Sequence, residues 1–346
     1  MTVLIRASFL FSLTIGTLTT MLSGNWIVAW VGLEMSSLAF IPLMVLIPRP
    51  RAIEAATKYF LIQSSASALL LLAIILANFK GGEWVTNSPL QGAPLVLTTI
   101  ALSTKLGIAP FHTWMPDILQ GLTLPTGLVL ATLMKLAPLA LMIEITPSLN
   151  LKFLLILGLT SVIVGGAGGI NQKQLRKILA YSSISHLGWT LTVMKLSTTL
   201  ALLNFMLYIL MAPVIFTVLH LMNAKNMSEL ATSMKKSPAT AVLTLLSILS
   251  LAALPPLTGF LPKWLIVQEL IEHNLIVYAT VALVAALINL FYYLRLVYIL
   301  VLTMTPHSTS SKPPWPYPRK NFVAVLLAVA IILIPLAPTI LTIWTL

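Results

Sequence analysis

The stretch that decides the fold is residues 96–121, VLTTIALSTKLGIAPFHTWMPDILQG. It is long and apolar enough to cross a membrane, which takes about 20 mostly apolar residues, but Pro110 and Pro116 interrupt it. A proline inside a helix removes a backbone donor and frees a carbonyl. At membrane depth, a freed carbonyl is tolerated only when it is buried in protein or lines a wet cavity. The stretch therefore predicts a broken transmembrane helix.

A second stretch of the same kind is residues 245–266, LLSILSLAALPPLTGFLPKWLI. Pro255, Pro256, Gly259 and Pro262 interrupt it. The two broken segments lie five predicted spans apart, and an odd offset inverts the orientation. Interrupted spans at matching positions of two halves indicate an inverted repeat with a transport site near the membrane midplane.

The composition excludes a soluble enzyme, a disordered protein and an ordinary nucleic-acid binder. Of the 346 residues, 58% are hydrophobic and 8% are charged, and the mean hydropathy is +1.00. A soluble domain is about 25% charged, so most of this chain must face lipid. There is no cysteine, which excludes disulfides, cysteinyl iron–sulfur clusters and thiolate zinc sites.

The hydropathy pattern predicts an all-α polytopic membrane protein with about eleven transmembrane helices. The predicted spans are 3–22, 25–46, 55–79, 93–121, 124–145, 150–170, 174–193, 198–222, 240–271, 275–301 and 321–343. We predict one membrane domain, residues 1–346, made of a first five-helix repeat (1–149), a second, inverted repeat (150–301), a loop (302–320) and a last helix (321–346). The N-terminal run has no small-residue cleavage site and precedes another span, so we interpret it as a retained helix.

The basic residues predict the orientation. The chain has 20 basic and 8 acidic residues. Thirteen of the basic side chains fall on the side that holds the N-terminus and three on the other side. By the positive-inside rule, the N-terminus faces the cytoplasm or the mitochondrial matrix. Eleven spans then place the C-terminus on the opposite side. The remaining four basic residues, which include Arg295, lie within predicted spans.

Four ionisable residues within the spans are candidate proton carriers. Glu34 and Lys135 lie mid-span, Lys105 precedes the first break and Lys263 follows the second. An ionisable group in hydrocarbon costs roughly 2.5–3.5 kcal/mol on insertion scales and usually faces a bundle interior or an ion path. The alternative interpretation is a set of structural ion pairs.

Two histidines could join these residues as relays. His112 follows the first break, and His186 occupies the position that mirrors Glu34 in the predicted repeat. Imidazole titrates in a useful range for proton transfer. The alternative for each is a histidine that only forms hydrogen bonds within the bundle.

A contact between Glu34 and Lys105 could switch a proton on and off. Burial disfavours a lysine cation, and a nearby carboxylate favours it. At about 4 Å and an effective dielectric of about 20, the attraction is about 4 kcal/mol. Moving a proton against 100 mV requires about 2.3 kcal/mol, so such a switch is large enough.

The run Gly165–Gly169 is interpreted as a helix-packing face and not as a nucleotide loop.

Five motifs occur in a fixed order along the chain. They are WVGLEMSSLAFIPL, STKLGIAPFHTWMPDILQG, MKLAPLALM, GGINQKQLRKILAYSSISHLGW and LPPLTGFLPKW. Together they resemble the antiporter-like membrane subunits of NADH–ubiquinone oxidoreductase, respiratory complex I. The resemblance covers about residues 20–270. The richness in Leu, Thr and Met also resembles an animal mitochondrial gene product.

The resemblance implies a proton pump driven by redox chemistry in other subunits. We interpret Glu34 as the modulator of Lys105, which is loaded from the matrix side, Lys135 as the relay together with His112 or water, and Lys263 as the group that releases the proton toward the intermembrane space. NADH, FMN, iron–sulfur clusters and ubiquinone are then expected on partner subunits, with no cofactor and no metal on this chain. Expected partners are other membrane-arm subunits, mitochondrially and nuclear encoded, together with lipids, protons and water, but no nucleic acid.

The resemblance implies a multi-pass protein of the mitochondrial inner membrane, with the N-terminus in the matrix and the C-terminus in the intermembrane space. Two alternatives stay open. One is a cation/proton antiporter-type subunit of another complex, which would transport without NADH. The other is a structural spacer that no longer pumps.

Overall fold

The computed structural model describes residues 3–81, 84–86, 89–230, 238–255 and 257–302. Within these ranges the regular elements are helices, and pairing between extended segments is limited to two isolated β-bridges. The predicted all-α class is confirmed. By its contacts the chain divides into two compact units, residues 1–161 and 162–346. The predicted repeat boundary at 149/150 and the inverted relationship stay predictions.

The first unit is built from seven α-helices and the start of an eighth. They are α1 (Val3–Leu22), α2 (Trp26–Met44), α3 (Pro50–Gly81), α4 (Ala93–Leu106), α5 (Trp114–Gly121), α6 (Leu124–Ala131), α7 (Leu133–Ile145) and α8 (Leu151–Ile170). A single 3₁₀ turn, Thr146–Ser148, follows α7. The division between the units falls inside α8.

The second unit contains the end of α8 and five further α-helices that the structure describes in full. They are α9 (Leu175–Val193), α10 (Thr198–Met222), α11 (Pro238–Leu251), α12 (Phe260–Glu272) and α13 (Ile276–Leu302). The last predicted helix, 321–343, and almost all of the predicted loop lie outside the described residues.

Each of the first ten predicted spans is helical, but the count of eleven transmembrane helices is not confirmed. In the described ranges, seven spans are long and apolar enough to cross a membrane. The predicted spans 93–121 and 240–271 are each divided into two shorter helices. Helix α9 is not among the seven. It carries several polar side chains but is buried along nearly its whole length. A helix enclosed by protein does not need an apolar surface.

Glycines allow close helix packing in both units. Helices α1 and α2 meet at Gly16 and Gly32, where an added Cβ would lie 2.8 Å and 2.9 Å from the backbone oxygen of the other glycine. In the second unit, an added Cβ at Gly165 would lie 2.8 Å from Ser185 Cβ of α9. At Gly169 it would lie 2.8 Å from the Tyr292 ring of α13. The predicted packing face of α8 is therefore confirmed.

Candidate functional site

The first predicted break lies directly after Lys105. Gly107, with φ +74°, ends α4 and donates its N–H to the carbonyls of Ser103 and Thr104. This left-handed conformation strains any residue that has a Cβ. The indole Nε1 of Trp114, the first residue of α5, donates a 3.0 Å hydrogen bond to the Thr104 carbonyl. Lys105 therefore lies in the last turn of α4. The carbonyl of its neighbour Thr104 accepts a hydrogen bond from Trp114, on the other side of the break.

A further interruption, which the sequence analysis missed, lies just before Lys135. The predicted single span 124–145 is divided at Thr132, whose hydroxyl donates to the Leu128 carbonyl at 2.8 Å. Lys135 therefore lies in the first turn of α7, which begins at Leu133, instead of lying mid-helix. Pro138, inside α7, has no N–H to donate one turn back, which weakens the helix at this point. Pro138 affects the carbonyl four residues back, inside α7, and so does not by itself mark an interruption at Thr132.

Lys105 and Lys135 line the same small cavity. Only 6% of Lys105 and 2% of Lys135 is exposed. The cavity leaves about 10 Å³ in which the centre of a water molecule can lie. This is roughly the space that one water molecule needs. The lining combines the two lysines with polar and aromatic groups of α2, α3 and α5. It consists of Leu33, Ser36, Ser37, Tyr59, Gln63, Lys105, Trp114, Leu130, Met134, Lys135 and Pro138. The cavity can accommodate a mobile proton and a water molecule.

Glu34 lies on α2 near this cavity. Its charge acts on Lys105 and on Tyr59. Within the described part of the chain, Glu34 Oε2 and Lys105 Nζ are buried and neither forms a hydrogen bond. The expected Glu34–Lys105 interaction is thus electrostatic and not a direct ion pair. Buried polar groups beyond hydrogen-bond distance of each other can be bridged by a water molecule.

His112 lies in the turn between α4 and α5. Its ring approaches the Pro110 carbonyl, and its Nδ1 atom is buried without a well-formed hydrogen bond. It does not line the cavity that contains the two lysines. The structure therefore places His112 in the break, at a position separate from the cavity wall.

The second predicted break places Lys263 in the first turn of α12. Helix α11 ends at Leu251, and Ala253 adopts φ +62°. Gly259 precedes α12, and a Cβ there would lie 1.9 Å from the Ser250 carbonyl oxygen. The close backbone approach at Gly259 therefore fixes the start of the helix that carries Lys263, which is partly buried.

His186 lies in the second unit, on α9, and is 4% exposed. Its ring packs on Tyr208 of α10 with centroids 5.2 Å apart, and its carbonyl accepts a 3.4 Å hydrogen bond from Asn204 Nδ2. Arg295 has a different role, since its Nη1 donates to the Ile170 carbonyl at the end of α8 at 2.7 Å. A guanidinium stabilises such a helix end.

The structure brings together three of the six predicted site residues, Glu34, Lys105 and Lys135, in the first unit. Lys263 and His186 lie in the second unit. Within the described ranges, no group of three or more His, Cys, Asp or Glu side chains could hold a metal ion. The absence of a cofactor from this chain stays a prediction.

The part of the chain that matches a known protein family includes both helix breaks and all six predicted site residues. Residues 23–289 match the model of the transmembrane family "NADH:quinone oxidoreductase/Mrp antiporter". The chain belongs to this family. Residues 290–341 also match the NADH dehydrogenase subunit 2 C-terminus. The resemblance found in the sequence motifs is therefore confirmed.

Individual members of the NADH:quinone oxidoreductase/Mrp antiporter family support this assignment. NADH-ubiquinone oxidoreductase chain 2 of Aquarana catesbeiana is 48% identical over 335 residues, which are 96% of this chain and 97% of the relative. A chain of respiratory complex I from Thermus thermophilus superposes with a TM-score of 0.81 at 27% identity, over 94% of this chain and 76% of that one.

The fold also occurs outside NADH oxidation. A chain of the archaeal membrane-bound sulfane sulfur reductase superposes with a TM-score of 0.86 at 18% identity. The alignment covers 98% of this chain and 74% of that chain. Fold similarity alone therefore does not select the redox reaction that drives a complex.

Proposed function

We propose that this chain is a proton-translocating membrane-arm subunit of NADH:ubiquinone oxidoreductase, driven by redox chemistry in other subunits. The single observation that carries the proposal is the cavity shared by Lys105 and Lys135, with the charge of Glu34 acting on Lys105. Intramembrane ionisable groups in such a setting are typical of proton relays.

Loading of the proton depends on the distance between Glu34 and Lys105. When the carboxylate approaches, the lysine cation is stabilised; when it withdraws, the proton passes to the next acceptor. Lys135 is that acceptor, because both ammonium groups line one cavity with room for a water molecule. A water molecule can bridge the two amines without the protein having to rearrange.

The remaining predicted residues complete the path. His112 assists the transfer at the first break, His186 serves the second unit, and Lys263 releases the proton. The proposed direction is from the matrix to the intermembrane space. The excess of basic residues on the N-terminal side supports the orientation in which that side faces the matrix.

The proposed setting is the mitochondrial inner membrane, with the C-terminus in the intermembrane space. The partners are other membrane-arm subunits, both mitochondrially and nuclear encoded, together with lipids. NADH, FMN, iron–sulfur clusters and ubiquinone bind to those subunits, and this chain has no redox centre. The full-length similarity to chain 2 proteins supports this setting.

The test is Lys105→Met in the assembled complex, reconstituted in vesicles. We expect NADH-driven proton uptake to fall by about tenfold or more, as for the loss of a proton-transfer group. The matched control is Lys152→Met, which removes an exposed lysine at the start of α8 and leaves uptake unchanged. Equal proton uptake per NADH in the two variants would overturn the proposal.

A second candidate is a cation/proton antiporter-type subunit, because the matching family model also names the Mrp antiporter. This candidate predicts sodium- or potassium-dependent proton exchange without NADH. A structural spacer predicts an unchanged ratio of protons to electrons when Lys135 and Lys263 are both neutralised. The same vesicle assay, run with and without NADH, distinguishes all three.

A further inference from the structure

Helix α13 carries three buried polar side chains on one face. Asn289, Tyr292 and Tyr293 are spaced three and four residues apart, which places them on the same side of the helix. Their exposed fractions are 2%, 0% and 1%. Three buried polar residues in a span of this kind need partners or water.

The surroundings of this face are small and polar. An added Cβ at Gly166 of α8 would lie 2.7 Å from Asn289 Oδ1, so the glycine leaves room for the amide. On α9, Ser185 interacts with the Tyr292 hydroxyl and Ser182 with the Tyr293 hydroxyl. The two tyrosine rings lie with their centroids 4.3 Å apart. Helices α8, α9 and α13 thus enclose a polar interior within the second unit.

The polar atoms of this face are not satisfied by the protein alone. Asn289 Oδ1 and Nδ2 and the hydroxyls of Tyr292 and Tyr293 are buried, and none makes a well-formed hydrogen bond within the described part of the chain. An amide offers two donors and a carbonyl acceptor, and each phenol can both donate and accept. Neighbouring polar groups beyond hydrogen-bond distance are typically bridged by ordered water.

The cluster continues toward His186. Tyr293 interacts electrostatically with Tyr208 of α10, and Tyr208 forms a side-chain hydrogen bond with Ser183. The Tyr208 ring in turn packs on His186. A string of buried polar side chains therefore runs from Asn289 to His186, entirely within residues 162–346. We call this string the α13 cluster; it consists of Ser182, Ser183, Ser185, His186, Tyr208, Asn289, Tyr292 and Tyr293.

We propose that the α13 cluster is a hydrated proton-conducting segment of the second unit, an inference that rests on the proposed function. Each hydroxyl or water accepts a proton on a lone pair and releases its own proton to the next acceptor. Every group therefore returns to its starting composition, and no bond between heavy atoms changes. Asn289 holds the water in place, and the two tyrosines supply the adjacent hydroxyls.

The test compares Tyr292→Phe/Tyr293→Phe with Tyr298→Phe in the assembled complex in vesicles. Tyr298 lies on the same helix but is 60% exposed, so its substitution removes a hydroxyl outside the cluster. We expect the double variant to lower NADH-driven proton uptake by about fivefold, which is less than the roughly hundredfold contribution of a positioned acid–base group, because water still bridges the gap, and the control to leave uptake unchanged. Both substitutions keep the aromatic ring and therefore the packing.

A second measurement uses Asn289→Leu, which removes the amide at nearly constant volume. The D₂O effect on proton uptake is expected to change in this variant and in the double tyrosine variant, because a different step then limits transfer. Wild-type uptake and wild-type isotope effect in the double variant would overturn the inference, whatever the outcome with Asn289→Leu.

Lys263→Met separates this inference from the proposed function. If Lys263→Met lowers uptake and the double tyrosine variant does not, the proposed conducting role of the α13 cluster is wrong and the lysine relay stands. If Lys105→Met and Lys263→Met both leave uptake unchanged, the proposed function itself is wrong, and with it the role of the α13 cluster.

Discussion

The two broken helices present their lysines in opposite ways. In the first unit, Lys105 lies in the last turn before the break, in a cavity that also contains Lys135. In the second unit, Lys263 lies in the first turn after the break, and the buried groups on α9 and α13 are mostly neutral hydroxyls. The comparison teaches that one device, a helix interrupted by proline and glycine, can serve two polar interiors. The first interior contains two buried lysines, whereas the buried polar groups on α9 and α13 of the second are mostly hydroxyls.

The breaks also differ in how tightly they are built, and the largest expected effect tests this. Gly259→Ala would place a Cβ 1.9 Å from the Ser250 carbonyl oxygen, so the backbone must move. We expect a destabilisation of about 3 kcal/mol, at the upper end for overpacking. The measurement is the yield and thermal midpoint of the assembled complex. A normal thermal midpoint would show that the second break is not held by this contact.

Glu34→Gln tests whether the first interior depends on charge. It keeps the size of the side chain but removes the charge that acts on Lys105. We expect proton uptake to fall by about tenfold, equivalent to about 1.4 kcal/mol, while assembly is retained. Ser36→Ala, a neutral change in the same cavity wall, is the control. If both variants take up protons equally, proton uptake does not depend on the charge of Glu34.

Gly107→Ala is the counterpart of Gly259→Ala at the first break. The nearest side-chain atoms to an added Cβ lie 3.3 Å away, so the cost comes mainly from the φ of +74°. A left-handed conformation costs a residue with a Cβ roughly 1–2 kcal/mol. The thermal midpoint should therefore fall less than for Gly259→Ala. A larger fall in the thermal midpoint than for Gly259→Ala would show that the first break, and not the second, tolerates an added Cβ less well.

The smallest effect is expected for Lys58→Met. Lys58 Nζ lies 2.7 Å from Glu54 Oε1, but both side chains are well exposed, at 45% and 61%. Exposed pairs contribute little to stability because solvent screens them. Assembly and proton uptake should both match the wild type. Reduced uptake would extend the functional part of the first unit beyond its buried interior.

The two proline breaks could be predicted because proline and glycine leave a local signature in an apolar run. The interruption at Thr132 was missed because no proline or glycine marks it: Pro138 lies six residues further on and acts only on the carbonyl four residues before it. The shared cavity of Lys105 and Lys135 could not be predicted, since spacing within a sequence does not give distances between helices. The count of eleven spans was not confirmed partly because α9, in the described part of the chain, is too polar to qualify as a span although it is buried along nearly its whole length.

The tyrosines of α13 illustrate another limit. Aromatic residues in a span usually lie at the interface or pack against lipid, so Tyr292 and Tyr293 gave no functional signal by themselves. Only their burial, together with Asn289 one helical turn away, distinguishes them from the exposed Tyr298 on the same helix. Burial depends on tertiary packing, which a single sequence does not specify.

The hydrogen bond from Trp114 to the Thr104 carbonyl has a mechanical consequence. It ties the first residue of α5 to the residue beside Lys105, so the gap between the two half-helices is bridged by a rigid indole. A displacement of α5 would therefore also displace the Thr104 carbonyl and the adjacent backbone of Lys105. In this way a broken helix can transfer force from its surroundings to a single amine.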